Sequence, residues 1–417
     1  MIITTKTVAL CPEFFPQAII LSRMKNRKRP VSFSFEVRET LRLPIFFFML
    51  AGSFAAWQSF YNVHLDRIGF SSMQIGALNA IFISTSAVVV PFWGMLADRI
   101  GNNRILLLLT AVCSLFVFLI GQTLAFHWMV IFIFVISVFH QPGGAVTDGM
   151  AMGFVRTNPQ YTYGQFRLWG SAGYAIASLV VGYLARENTQ VIFNLAALMF
   201  LLLSVFNLIT LPSRPVVNRN LVNFRSFAVF FRNRRLLEFL MIIMMYGLAI
   251  SPLHQFINLY YKDIGAGNSF IGTVFFIQAA FEVPLFLVGA RLARRIGPER
   301  VILIAMATSM LRMILYGLIT SPEIAIFLSA FHGITIAFFL IGVVEYVQSH
   351  TPFHLRTTGQ ALIWAFHFGA GVTLGNLVLG YLRDHTGMLG AMHIHSGIAA
   401  VMLIWGIVFF RRSLRSG

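Results

Sequence analysis

Charged residues are scarce in this chain. Asp, Glu, Lys and Arg make up 11% of its 417 residues, whereas soluble domains carry about 25%. Hydrophobic residues make up 58% of the chain, and the mean hydropathy is +0.78. This composition excludes an ordinary soluble domain and predicts an integral membrane protein that has the lipid bilayer as its surroundings.

Acidic residues are the rarer charged type, with 14 Asp and Glu against 31 Lys and Arg and a formal net charge of +17. A basic excess can indicate nucleic-acid binding, but membrane proteins concentrate Lys and Arg in cytoplasmic segments. Most of these residues fall in the tails and in alternate loops if both termini are cytoplasmic. We therefore expect a multi-pass protein of the plasma membrane, such as a bacterial inner membrane, and no nucleic-acid partner.

Cysteine is nearly absent. Cys11 and Cys113 are the only two, which argues against a disulfide framework or a cysteine metal site. His350 and His354 have a helical spacing, but Pro352 lies between them. The chain also lacks a nucleophile elbow, a phosphate-binding loop and a clustered acidic motif. We therefore predict that it is not an enzyme and that it has no cofactor and no metal site.

Long apolar windows are abundant and predict twelve membrane spans. The predicted spans are 43–63, 74–97, 104–124, 128–152, 164–185, 190–211, 236–260, 270–290, 300–320, 324–347, 358–382 and 391–410. The predicted domains are a basic cytoplasmic tail at 1–40, a bundle at 41–211, a basic linker at 212–235, a second bundle at 236–410 and a tail at 411–417. Met24 opens the basic run MKNRKRP, so residues 1–23 are expected to be a start-site extension or a disordered tail.

The two halves share sequence features. Gly164-Gln165 with Trp169 recurs as Gly359-Gln360 with Trp364, and LADRIG at 96–101 recurs as LARRIG at 292–297. Internal repeats of this kind are typical of secondary transporters.

Twelve spans in two halves, with GMLADRIGNNR after the second span and ARLARRIGPER after the eighth, resemble the major facilitator superfamily. The resemblance implies an all-α membrane protein with twelve transmembrane helices in two pseudo-symmetric six-helix bundles. It also implies an inner-gate motif, whose residues here are Gly94, Asp98, Arg99, Gly101, Arg104, Arg295 and Arg300.

Four further stretches resemble the branch that holds lactose permease, phenylpropionate permease and nucleoside proton symporters. They are YGQFRLWGSAGY, FEVPLF, SMLRM and FLSAFHG. The resemblance implies a part in proton coupling for Arg312 and His332 and solute binding by Asp148, Arg167 and Tyr174. Lactose permease has an acidic residue three positions after this histidine, where the present chain has Thr335. That departure moves the predicted proton site to Glu282.

Ionisable residues within spans are costly and are functional candidates. Glu282 and Arg312 are expected at similar depth, as a coupling pair or as a static ion pair. Asp148 and Arg167 are alternatively a structural pair near the headgroups.

Histidines add to these candidates. We predict that His254 and His367 join His332 at the solute site, although each alone is more often a packing residue. His140-Gln141-Pro142-Gly143-Gly144 interrupts the fourth span and predicts a kink.

Together these features predict a monomeric secondary transporter that couples protons to uptake of a small organic solute, such as a sugar, a nucleoside or an aromatic acid, by alternating access. One alternative is a proton-antiport exporter of drugs or metabolites. The other is a membrane scaffold or receptor that transports nothing.

Overall fold

A computed structural model describes residues 30–185, 188–210, 233–351 and 356–415, which are almost entirely helical. The first bundle contains α1 Pro30–Arg67, α2 Ser72–Ile100, α3 Asn102–Gln122, α4 Phe126–Phe139, α5 Gln141–Thr157, α6 Tyr163–Ala185 and α7 Thr189–Thr210. Helices α4 and α5 form one span that is interrupted at His140, as the proline and paired glycines predicted.

The second bundle contains α8 Arg234–Ala249, α9 Ser251–His254, α10 Ile257–Asp263, α11 Asn268–Ile296, α12 Pro298–Leu318, α13 Pro322–Ser329, α14 Phe339–His350, α15 Arg356–Trp364 and α16 Thr373–Arg415. Two π-helical turns, Ile334–Phe338 and Ala365–Val372, lie between α13 and α14 and between α15 and α16. Such turns often lie at functional sites.

Among the described residues, ten helical stretches are long and apolar enough to cross a membrane. The last of them, Thr358–Arg412, has 55 residues and turns at Gly387, so it supplies two crossings. Helices α8 to α10 supply one more in three pieces. The twelve predicted crossings and the all-α fold class are therefore confirmed.

The predicted tail and linker fall largely outside the described residues. Helix α1 begins at Pro30, inside the segment that we expected to be a tail, and α16 continues to Arg415. The predicted tail up to residue 29 and linker residues 211–232 are not described.

Glycine makes equivalent tight turns in the two halves. Gly101 ends α2 and starts α3 with φ 98°, and Gly297 ends α11 and starts α12 with φ 90°. Residues with a Cβ rarely adopt this conformation. We call the side of the molecule that carries both turns the Gly101 face, and the opposite side, where α1 ends, the Arg67 face.

Candidate functional site

Ion pairs join the two bundles at the Arg67 face. Asp66 at the end of α1 contacts both Lys262 and Arg383, and Arg383 Nη1 donates to Asp66 Oδ1 over 2.9 Å. Within the second bundle, Arg383 also donates to Asp263, with a 2.9 Å bond from Nη2. Asp384 completes this group of five charged residues, which we call the latch.

Asp384 contacts the first bundle through backbone. Its two carboxylate oxygens accept the N–H groups of Ser72 and Met73 over 2.8 and 2.9 Å. Those N–H groups open α2 and have no partner within the helix. A carboxylate there also interacts favourably with the helix dipole. The second bundle thus caps a helix of the first.

Glycines allow close backbone contact on the same side of the molecule. A methyl group added to Gly76 of α2 would lie 2.3 Å from the carbonyl oxygen of Asn376 in α16. One added to Gly272 of α11 would lie 2.4 Å from the carbonyl oxygen of Ser178 in α6. The bundles are therefore packed tightly near the Arg67 face.

Helices α6 and α11 also border a cleft, on the Gly101 side of the Gly272 contact. This cleft has a volume of about 400 Å³. Its lining is mostly apolar: Gln165, Leu168, Trp169, Ser171, Ala172, Ala175, Ile176, Phe276, Ala279, Ala280 and Val283. The bundles thus pack closely near the Arg67 face and leave a cleft on the Gly101 side of that contact.

Glu282 lies on this boundary between bundles. It is half-buried in the middle of α11. Its carboxylate interacts electrostatically with Arg167 and with Tyr174, both on α6. Arg167 and Tyr174 are seven residues apart, about two helical turns, so they share a face of α6. The two bundles therefore contribute opposite charges to one place.

Asp148 is brought to the same region. It is half-buried in α5 and interacts electrostatically with Arg167. Tyr163 Oη donates to Asp148 Oδ1 over 2.9 Å. Sequence reasoning missed Tyr163, although its position one turn before Arg167 on α6 was a usable signal. The predicted proximity of Asp148 and Arg167 is present, with the tyrosine hydroxyl as an added partner.

Arg312 is not the partner of Glu282, contrary to the sequence-based expectation. Its side chain is buried in the core of the second bundle, where Nη1 donates to Thr335 Oγ1 over 2.9 Å. Its Cζ lies 5.7 Å from the centre of the Tyr316 ring. The two charges separate because α11 presents Glu282 to α6, whereas α12 directs Arg312 into its own bundle.

His254 and His332 lie close to each other. Their ring centres are 6.0 Å apart, edge to face, and both side chains are half-buried. Each interacts electrostatically with Arg312. The structure therefore assembles three of the predicted residues, Arg312, His254 and His332, which we call the basic cluster.

His367, the third histidine predicted at the solute site, lies within the second bundle. It is fully buried, its Nδ1 donates to the carbonyl oxygen of Ile243 over 2.9 Å, and its ring centre lies 4.4 Å from that of Phe339. Its Nε2 is buried without a hydrogen-bond partner among the described groups. The assignment of His367 to the solute site stays a prediction.

The predicted gate residues lie near the Gly101 face. The side chains of Arg99, Arg104, Arg295 and Arg300 are exposed there. Gly94 and Asp98 are in the last turns of α2, and the side chain of Asp98 lies outside the described residues. Their role in gating stays a prediction.

Comparison with known proteins gives a consistent result. The maltose permease of Geobacillus stearothermophilus is 23% identical over 86% of this chain and 91% of its own length. The sucrose permease of Escherichia coli is 22% identical over 88% of this chain and 92% of its own. A crystal structure of the nucleoside transporter NupG superposes with a TM-score of 0.79 at 20% identity, over 89% of this chain and 98% of that one.

A family model described as "MFS_1 like family" matches residues 40–392. This range includes eleven complete spans and the start of the twelfth. The relatives are transporters and not enzymes, in agreement with the predicted absence of enzymatic activity. The chain belongs to the MFS_1-like family of the major facilitator superfamily and is a multi-pass membrane transporter.

Proposed function

We propose that this protein is a proton-coupled symporter that takes up a small polar organic solute by alternating access. The observation that carries the proposal is that Glu282 and Arg167 belong to opposite bundles and lie near enough for their charges to interact. Ionisable groups at such depth commonly mark proton and substrate pathways. Sites of this fold type lie near the membrane midplane, between the repeats.

In this proposal the Arg167 guanidinium binds either the Glu282 carboxylate or the solute. While Glu282 is ionised it holds Arg167, and a proton on Glu282 releases Arg167 to bind solute oxygen atoms. Arg can bind such atoms through two parallel N–H groups. The Tyr174 ring offers a flat apolar surface beside it. Competition for Arg167 couples proton binding to solute binding.

The latch and the gate motif close opposite faces in turn. With the Gly101 face in the cytoplasm, as the distribution of Lys and Arg predicts, the closed Arg67 face corresponds to an inward-facing conformation, and the latch acts as the outer gate. The residues around Asp98 and Arg99 would close the inner face in the other state. The relatives named as maltose and sucrose permeases, and the fold shared with a nucleoside transporter, support sugars and nucleosides as the first solutes to test.

The test of coupling is the Glu282→Gln variant in proteoliposomes with a pH gradient, acidic outside. We expect solute exchange to stay within about threefold of the parent, because the neutral amide resembles the protonated acid, while uphill accumulation is lost. Glu345→Gln is the matched control, since Glu345 is also half-buried but lies in α14. If the Glu282 variant accumulates solute to the parental level, Glu282 does not carry the coupled proton.

Proton movement tests the direction of transport. Symport makes the outer medium more alkaline when the solute is added, because protons enter with it. Acidification instead would indicate the exporter, and an absence of flux with all solutes would indicate a scaffold or receptor.

A further inference from the structure

The described groups that contact Arg312 carry no negative charge. The groups around it are hydroxyls and rings: the Oη of Tyr246 is 2.6 Å from Ser309 Oγ, and the Tyr261 hydroxyl bonds Ser329 Oγ over 2.8 Å. Thr335 accepts from Arg312 and donates to the carbonyl oxygen of His332 over 2.7 Å. Each hydroxyl is thus already engaged, and none supplies a charge.

Arg312 itself has unused donors. Its side chain is 2% exposed, and its Nε and Nη2 have no hydrogen-bond partner among the described groups. No described carboxylate lies within 4.0 Å of its nitrogen atoms. A buried cation without a counter-charge is strongly unfavourable in a protein interior.

The nearest acid on the neighbouring helix, Glu282, interacts with the other bundle. A methyl group added to Gly333 would lie 2.9 Å from the Cα of Glu282, so the segment that carries His332 packs directly on α11. The carboxylate of Glu282 nevertheless interacts with Arg167 of the other bundle. The basic cluster and Glu282 therefore line adjoining parts of one region, yet they do not neutralise each other.

The histidines add hydrogen-bonding capacity to this charge. His332 and His254 are half-buried, so part of each ring is accessible, and His332 Nδ1 is buried without a partner. His254 is also 6.5 Å from Phe368, ring centre to ring centre. A cation, two imidazoles and an aromatic wall suit an organic anion better than a neutral hydroxylated compound.

We propose that the basic cluster binds the carboxylate of the transported solute, so that the substrate is a sugar acid or an aryl acid. This inference rests on the proposed symport and narrows its substrate class. Arg312 supplies the counter-charge, and His332 and His254 orient the carboxylate.

The charge balance of transport follows. One proton on Glu282 and one carboxylate at the basic cluster move together with no net charge. The other ionisable groups near these two sites are Arg167 and Tyr174, which face Glu282 from α6, and Tyr246, Tyr261 and Tyr316, which surround Arg312. Uptake should respond to a pH gradient and be insensitive to membrane potential, whereas proton symport of a neutral solute moves positive charge inward.

The experiment pairs each acid with its neutral counterpart in proteoliposomes: glucuronate with glucose, and phenylpropionate with phenylpropanol. Each pair is tested with an imposed pH gradient and, separately, with a potassium diffusion potential. We expect uptake of at least one acid, at least tenfold above its counterpart, driven by the pH gradient alone. Chloride and phosphate at equal concentration should not compete, which distinguishes a solute carboxylate from an inorganic anion.

Variants make the assignment to Arg312 specific. Arg312→Gln should lower the preference for acid over neutral compound at least tenfold, and Arg312→Lys should keep most of it. Because a buried Arg312 variant can fail to fold, His332→Gln is a second test, in which we expect the affinity for the acid to fall more than the affinity for its neutral counterpart. Potential-driven uptake of glucose or nucleosides would overturn the carboxylate assignment while leaving symport intact. Absence of any coupled uptake would overturn the proposed symport and this inference with it.

Discussion

Loss of Arg383 should open the Arg67 face. This side chain donates to Asp66 Oδ1 over 2.9 Å and to Ser72 Oγ over 3.0 Å, both in the other bundle, while its bonds to Asp263 stay within its own. In Arg383→Gln the two inter-bundle bonds are weakened or lost. Hydrogen bonds of charged groups contribute about 1.5–3 kcal/mol each. Asp66 keeps Lys262, so we take the low end, about 3 kcal/mol in total.

That loss corresponds to a change of about 100-fold in the equilibrium between closed and open forms, since 1.4 kcal/mol is about tenfold. The assay is electron spin resonance distance measurement between labels at Leu124 and His385, two exposed positions at the Arg67 face of opposite bundles. The native cysteines Cys11 and Cys113 are first replaced. We expect a longer distance to become populated in Arg383→Gln.

The matched control is Glu323→Gln. Glu323 is exposed on the same side, but its hydrogen bond goes to Ser321 in its own bundle. Its removal should leave the distances unchanged. If the folded Arg383→Gln variant gives the same distance distribution as the parent, the latch does not stabilise the closed form.

Two further predictions concern packing and recognition. Gly76→Val should populate the open Arg67 face with little loss of melting temperature, because its side chain would meet Asn376 across the bundles. Gly173→Val should lower the melting temperature strongly, because a methyl group there would lie 2.1 Å from the Phe48 carbonyl oxygen within one bundle. Equal effects of the two variants on melting would contradict this distinction. Arg167→Ala should weaken solute binding by about 10- to 100-fold, as expected for loss of about 1.5–3 kcal/mol of charged hydrogen bonding, and Arg156→Ala, an exposed position at the end of α5, is the control in a radioligand binding assay. Unchanged affinity of the Arg167 variant would place the solute elsewhere.

The spans could be predicted from the sequence because each crossing needs its own apolar run. The relation between the two halves could also be predicted from the sequence, and Gly101 and Gly297 do occupy matching turns with positive φ. Partners were harder to predict. Glu282 and Arg312 have similar depth, but depth does not reveal which side of a helix faces which neighbour.

The contacts between the bundles could not be predicted, because their residues are far apart in the sequence. Asp66 and Arg383 are 317 positions apart, and only the packing of the bundles brings them together. His367 is fully buried, whereas His254 and His332 are half-buried, and the sequence gives no signal for that difference.

Helix α2 has two caps, one from its own bundle and one from the other bundle. Ser71 and Gln74 cap it from within the chain, through bonds of 3.2 and 3.0 Å that move with the helix. Asp384 caps it from the other bundle, so its bonds must break whenever the Arg67 face opens. Water can then take the freed N–H groups while the permanent cap prevents fraying. The Asp384 cap can therefore stabilise the closed Arg67 face strongly. When that face opens, the start of α2 does not depend on Asp384, because Ser71 and Gln74 still cap it.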